Sequence, residues 1–204
     1  MKTITDRLRT YQRGFLDSLV GCCFRGSLEK RAELITCFFE KALSPGSRVL
    51  DLGGGWGFYS RPLARRGHES VILDVIRPGY QKAPVVLYEG ERIPFDDESF
   101  DAAILITMLH HVPDPEKLLR EVRRVTRGKV VVVEDLFHHG LGRFWTICRD
   151  RLLNMEFMSH PHQFRKHEEW VRSFERQGFK LVRFEKFYTW LAGLRILNGL
   201  YVLE

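Results

Sequence analysis

Strands alternating with helices through the middle of the chain predict a doubly wound α/β fold. The expected sheet has seven strands, is mostly parallel and closes with an antiparallel terminal hairpin, and N-terminal helices precede it. Three observations carry this. Aliphatic and β-branched runs at Val49 to Leu52, Ser70 to Val75, Phe100 to Thr107 and Lys129 to Glu134 read as strands buried on both faces. The first of them stops at a glycine cluster, Gly53 to Gly57, as a strand does when it turns tightly into a helix. The last two strand-like runs, Lys180 to Phe187 and Arg195 to Leu203, are too close for a crossover helix and must pair antiparallel.

The elements follow in order. Leu8, Tyr11, Phe15 and Leu19 fall at helical spacing, and after a break around Gly21 to Ser27 so do Leu28, Ala32, Ile35, Phe39 and Leu43. These are amphipathic helices at the edge of the domain or over a ligand. Ser44-Pro45-Gly46 turns the chain into the first strand. A helix from Phe58 to Arg66 ends at Gly67, and the strand Ser70 to Val75 runs to the turn Arg77-Pro78-Gly79. A short strand at Val85 to Tyr88 precedes Phe100 to Thr107. Asp114 then reads as the N-cap of a helix to Thr126, with Pro115 in its first turn. Residues 136 to 164 interrupt the alternation with glycines, aromatics and four histidines, before a helix at His167 to Arg176 that Gly178 stops.

Composition sets bounds. A chain of 204 residues, 44% hydrophobic and 28% charged, is large enough for one domain with a buried core. Its apolar runs are far shorter than the roughly 20 residues of a membrane span, and MKTITDRLRTYQRG lacks the apolar stretch of a signal peptide, so a cytoplasmic location is expected. Cys22, Cys23, Cys37 and Cys148 show neither CxxC spacing nor a pairing pattern and read as reduced, partly buried thiols. The formal charge is +6, yet the basic residues are interleaved with acids, as in REVRRVTRGK, which is the pattern of solvated helix faces rather than of a nucleic-acid stripe.

An open parallel sheet binds ligands beyond the carboxyl ends of its strands, where the strand order switches. The glycine turn sits at such a place. Asp74, at the end of the second strand, is placed to accept hydrogen bonds from ribose hydroxyls. Together they point to an adenosine-type ligand. A dinucleotide fingerprint would need a glycine where Phe58 stands, which argues against a nicotinamide oxidoreductase.

The run Asp51-x-Gly53-x-Gly55-x-Gly57 resembles the D/E-x-G-x-G-x-G motif of class I S-adenosylmethionine-dependent methyltransferases. YEGERIPFDDESFDAAILITMLHHVPDPEKLLREVRRVTRGK is similar to the middle of their type-11, small-molecule branch, and the likeness covers about residues 47 to 135. The resemblance implies a Rossmann-like fold, S-adenosylmethionine as cofactor, and O- or C-methylation of a small-molecule acceptor. It puts Asp51 near the cofactor's amino group, Asp74 on its ribose, Glu89 and Gly90 at the adenine edge, and Ile106 and Thr107 at the end of the fourth strand. It also divides the single domain into an N-terminal helical segment (1–43), a cofactor core (44–135), an acceptor-side insertion (136–164) and a C-terminal helix and hairpin (165–204).

Departures from the family pattern bear on the acceptor. No N-P-P-Y-like signature follows the fourth strand, which disfavours methylation of nucleobase amines, and no Pro-Cys context suggests carbon-5 pyrimidine chemistry. His110 and His111 are the candidate bases, since imidazole titrates near neutral pH; their alternative role is structural. Tyr11, His138, His139, Arg143, Trp145 and Arg149, with Phe157 and Met158 nearby, are the candidate substrate contacts. No metal is expected, because no carboxylate or cysteine stands at ligand spacing beside His138, His139, His160 or His162. RNA or protein methylation, and cofactor binding without catalysis, are the alternative functions. Monomer and dimer are both compatible with the sequence.

Overall fold

A computed structural model describes residues 18, 23–76, 84–137, 140–154 and 163–204. Its seven strands are β1 (Arg48–Leu52), β2 (Glu69–Asp74), β3 (Val85–Leu87), β4 (Phe100–Ile106), β5 (Thr126–Asp135), β6 (Leu181–Leu191) and β7 (Leu194–Leu203). They lie in the order β3-β2-β1-β4-β5-β7-β6. The first five are parallel, and β7 enters antiparallel between β5 and β6. The order reverses between β1 and β4, so a crevice is expected outside their carboxyl ends. That is where the glycine turn lies.

Both faces of the sheet are covered, which is why the central strands read as unbroken apolar runs. Leu50, Leu52, Leu105, Val130 and Val132 pack on one face with Leu118, Leu119 and Val122 of α3 (Pro115–Val125) and with Trp170 and Phe174 of α5 (His167–Arg176). Their neighbours Val49, Ile104, Ile106, Val131 and Val133 turn to the other face. There they meet Ile35 and Phe39 of α1 (Arg25–Phe39) and Leu63 of α2 (Ser60–Arg65). The period of two along each strand thus feeds two cores.

Asp114 caps α3 as its sequence position implies: its Oδ1 accepts a hydrogen bond from the Lys117 amide at 2.9 Å, with Pro115 opening the helix. Other boundaries moved. α2 starts at Ser60 rather than Phe58, because the turns Gly57 N to Gly54 O and Ser60 N to Gly57 O occupy the intervening residues. α1 runs through Gly26 and Ser27, where a break was expected, while Leu8, Tyr11, Phe15 and Leu19 lie outside the described residues. The 136–164 stretch contains a 15-residue helix, α4 (Gly140–Asn154), which the sequence pattern alone did not define. The thiol expectation needs correcting: Cys23, Cys37 and Cys148 are exposed, not partly buried, and Cys22 lies outside the described residues. Among the described residues no helix is long and apolar enough to cross a membrane.

Candidate active site

The site begins at the end of β1. Asp51 is 1% exposed, and its Oδ2 has no hydrogen-bond partner among the described residues. Burial, and secondarily the charge of Asp74, pushes its carboxyl up to about 7. The turn that follows wraps this carboxylate closely: a Cβ on Gly54 would come within 2.6 Å of the Asp51 Cγ, and one on Gly53 within 3.0 Å of Met108. Gly53, Gly55 and Gly57 all hold positive φ, at 69, 48 and 73°.

Asp74, at the end of β2, closes the turn from the other side. Its Oδ2 accepts from the Gly55 amide at 2.9 Å, and its Oδ1 from the Ile76 amide at 3.1 Å. Next along the edge, Glu89 and Gly90 are exposed in the loop after β3, with Gly90 at φ 84°. Ile106 ends β4 buried. Thr107 follows with φ 50°, an unusual value for a β-branched residue, held by a hydrogen bond from its amide to the Val133 carbonyl at 2.6 Å. All nine residues expected at the cofactor thus lie at the carboxyl edge of the sheet or in the loops that leave it.

A second cluster stands at the ends of β4 and β5. A single 3-10 turn, Leu109–His111, presents His110, which is 1% exposed, with its Nδ1 2.6 Å from Oε2 of the fully buried Glu134. The other Glu134 oxygen accepts from the amides of Met108 and Leu109 at 3.1 and 2.8 Å, so this carboxylate fixes the turn and the imidazole together. On the far side, Asp150 of α4 lies 3.6 Å from His110 Nε2 and 3.7 Å from His111 Nε2. His110 is sandwiched by Phe164 and His111, at ring-centroid distances of 4.3 and 4.1 Å. Burial alone lowers the His110 pKa, but the charges of Glu134 and Asp150 outweigh it and lift the ring to about 10.

Residues 50–133 match the family described as "Methyltransferase domain", the type-11 branch. A relative named demethylmenaquinone methyltransferase, from Renibacterium salmoninarum, is 36% identical over 117 residues, covering 53% of this chain and 49% of that one. A SAM-dependent methyltransferase from Methanosarcina mazei superposes with a TM-score of 0.65 at 20% identity, over 81% of this chain and 95% of its own. The 1,6-didemethyltoxoflavin-N1-methyltransferase of Burkholderia thailandensis, solved with its substrate and S-adenosylhomocysteine, gives 0.63 at 14% identity over 99% and 91%. Residues 50–133 are thus similar to the methyltransferase-domain family, and the chain shares the fold of these solved methyltransferases. The chain spans about half the length of the curated relatives it matches.

Within this methyltransferase fold the substrate-side expectations divide. Arg143 and Trp145 of α4 are exposed, Trp145 at 65%, and neither joins the two clusters above. Arg149 donates to Asp135 Oδ2 at 2.5 Å, so its charge is spent on the protein and not held open for an anionic substrate. Asp135 in turn accepts from Asn198, which accepts from Thr189, which accepts from Arg31, tying α1, the terminal hairpin and α4 to the end of β5. Tyr11, His138, His139, Phe157 and Met158 lie outside the described residues. Glu134, Asp135 and Asp150 went unnoticed in the sequence. The one available signal was a pair of carboxylates ending the apolar run VVVVED.

Proposed function

We propose that the chain is an S-adenosylmethionine-dependent methyltransferase acting on a small-molecule acceptor at oxygen or carbon. The observation that carries this is the Asp51 carboxylate, buried with an unpartnered oxygen beside a turn in which only glycine fits. A carboxylate in that setting is costly unless a cation or donor completes it, and the cofactor's amino group is such a partner. Asp74 would take the ribose hydroxyls, Glu89 and Gly90 the adenine edge, and Ile106 and Thr107 the middle of the molecule.

When bound, the cofactor supplies a methyl group made electrophilic by its sulfonium. The chain's part is to hold the acceptor in line behind that methyl and to exclude water, and positioning of this kind is worth about 7–11 kcal/mol. His110, with its pKa lifted, is not poised as a general base at neutral pH. His111, a quarter exposed, is the better candidate where an acceptor proton must leave.

A small acceptor is favoured over RNA by how the basic residues are used. Arg61 pairs with Glu29, Arg66 with Glu33, Arg124 with Asp97 and Glu121, and Arg165 with Glu116. The names of the R. salmoninarum and B. thailandensis proteins also denote small acceptors. Calorimetry with S-adenosylhomocysteine, with NADH as control, is expected to show one bound equivalent of the former only. Release of S-adenosylhomocysteine during incubation with quinol, phenol and enol acceptors then reports turnover. Preference for NADH would overturn the reading.

A further inference from the structure

The cluster at the ends of β4 and β5 holds more than an ion pair. Two buried carboxylates, Glu134 at 0% and Asp150 at 8% exposure, flank one imidazole, and a second imidazole stands against it. Imidazole and carboxylate side chains gathered in one buried place are the donor types that hold transition-metal ions. His110 is 1% exposed; its Nε2 makes no hydrogen bond among the described residues and faces Asp150 at 3.6 Å, beyond hydrogen-bond length.

We propose that His110, His111 and Asp150 bind one divalent first-row transition ion, through one ring nitrogen of each histidine and a carboxylate oxygen. Their ligand atoms all lie within 4.8 Å of one another. The two His to Asp150 separations, 3.6 and 3.7 Å, are close to the roughly 3.4 Å between tetrahedral ligands placed about 2.1 Å from an ion. The donor set, two imidazoles and one carboxylate, suits zinc, iron or cobalt rather than magnesium or calcium, which prefer all-oxygen shells.

Glu134 supplies the outer support that such sites use. By holding His110 Nδ1 at 2.6 Å it fixes the ring so that Nε2 points at Asp150, and its other oxygen is anchored by two backbone amides. The ligands come from two elements far apart in sequence, the 3-10 turn after β4 and helix α4, so an ion would also fasten α4 to the sheet edge. If the methyltransferase reading holds, an ion bound here would take His111 out of the role of base; metal binding itself does not depend on that reading.

The test uses the full chain, freed of any affinity tag and dialysed against a chelator, titrated by calorimetry with Zn²⁺ alone and followed by visible absorption with Co²⁺ alone. One equivalent is expected to bind, with the d–d bands of nitrogen–oxygen ligation. Asp150→Asn should weaken binding at least 100-fold, and Glu134→Gln about 10- to 100-fold at unchanged stoichiometry. Circular dichroism establishes that each variant is folded. Should Asp150→Asn fail to fold, His111→Gln, at a partly exposed position, replaces it with the same expectation. Absence of stoichiometric binding to the folded wild type, or equal affinity in the folded variants, overturns the site. Neither cofactor nor acceptor is present, so failure here is distinct from failure of the proposed methyl transfer.

Discussion

The Gly55 amide donates a hydrogen bond to Asp74 Oδ2 at 2.9 Å, joining the turn after β1 to the end of β2. The same carboxylate receives the Ile76 amide through its other oxygen, so Asp74 orders both loops before any ligand arrives. Asp74→Ala removes the loop anchor and the proposed ribose acceptor together. Charge-assisted hydrogen bonds are worth about 1.5–3 kcal/mol each, so binding of S-adenosylhomocysteine is expected to fall about 100-fold or more, with the protein still folded. Calorimetry reads the loss; unchanged affinity would sink the ribose assignment.

Asp51 predicts a pH dependence with opposite signs for stability and binding. Its folded pKa, about 7, lies above the ordinary 3.8, so between those values the native state holds a proton that the unfolded chain has released. Stability of the free protein should therefore fall as pH rises through that window, by an amount on the order of 4 kcal/mol, and level off above it. Affinity for a ligand ammonium should rise about tenfold per pH unit up to about 7, because the carboxylate must be ionised to meet it. Chemical denaturation and calorimetry across pH 5 to 8.5 check both slopes, and Asp51→Asn should flatten them.

Two glycines with ordinary backbone angles should respond oppositely to alanine. At Gly54 the new Cβ meets the Asp51 carboxyl at 2.6 Å, so Gly54→Ala is expected to cost about 1–3 kcal/mol and to displace the carboxylate from the ligand. Gly26, within α1, has nothing within 4 Å, and Gly26→Ala should stabilise by about 0.5–1 kcal/mol through the unfolded chain. Equal thermal shifts in the two variants would contradict the close-approach argument.

The terminal hairpin closes through Ala192 and Gly193, both at positive φ, 50 and 78°, between the paired Leu191 and Leu194. This is the two-residue turn whose twist suits the strands, and it strains Ala192. Ala192→Gly is expected to raise stability by up to about 1 kcal/mol, and Gly193→Ala to lower it by about 1–2 kcal/mol. Midpoints of denaturant unfolding measure both.

By itself the sequence determined the order of strands and helices from β1 to β5 and the place of the glycine turn, because both are local. A strand buried on both faces must be an unbroken apolar run, as Val130 to Val133 is. A turn packed against Asp51 must be glycine, and a helix opened by Pro115 takes its cap from Asp114. The tertiary structure decided what distance along the chain conceals. Glu134 and Asp150 are separated from His110 by 24 and 40 residues, and only the pairing of β4 with β5 and the docking of α4 bring the three together. The same holds for Arg149, which sequence reading offered to a substrate and the fold gives to Asp135. Charge partners are chosen by proximity in space, and periodicity carries no record of them.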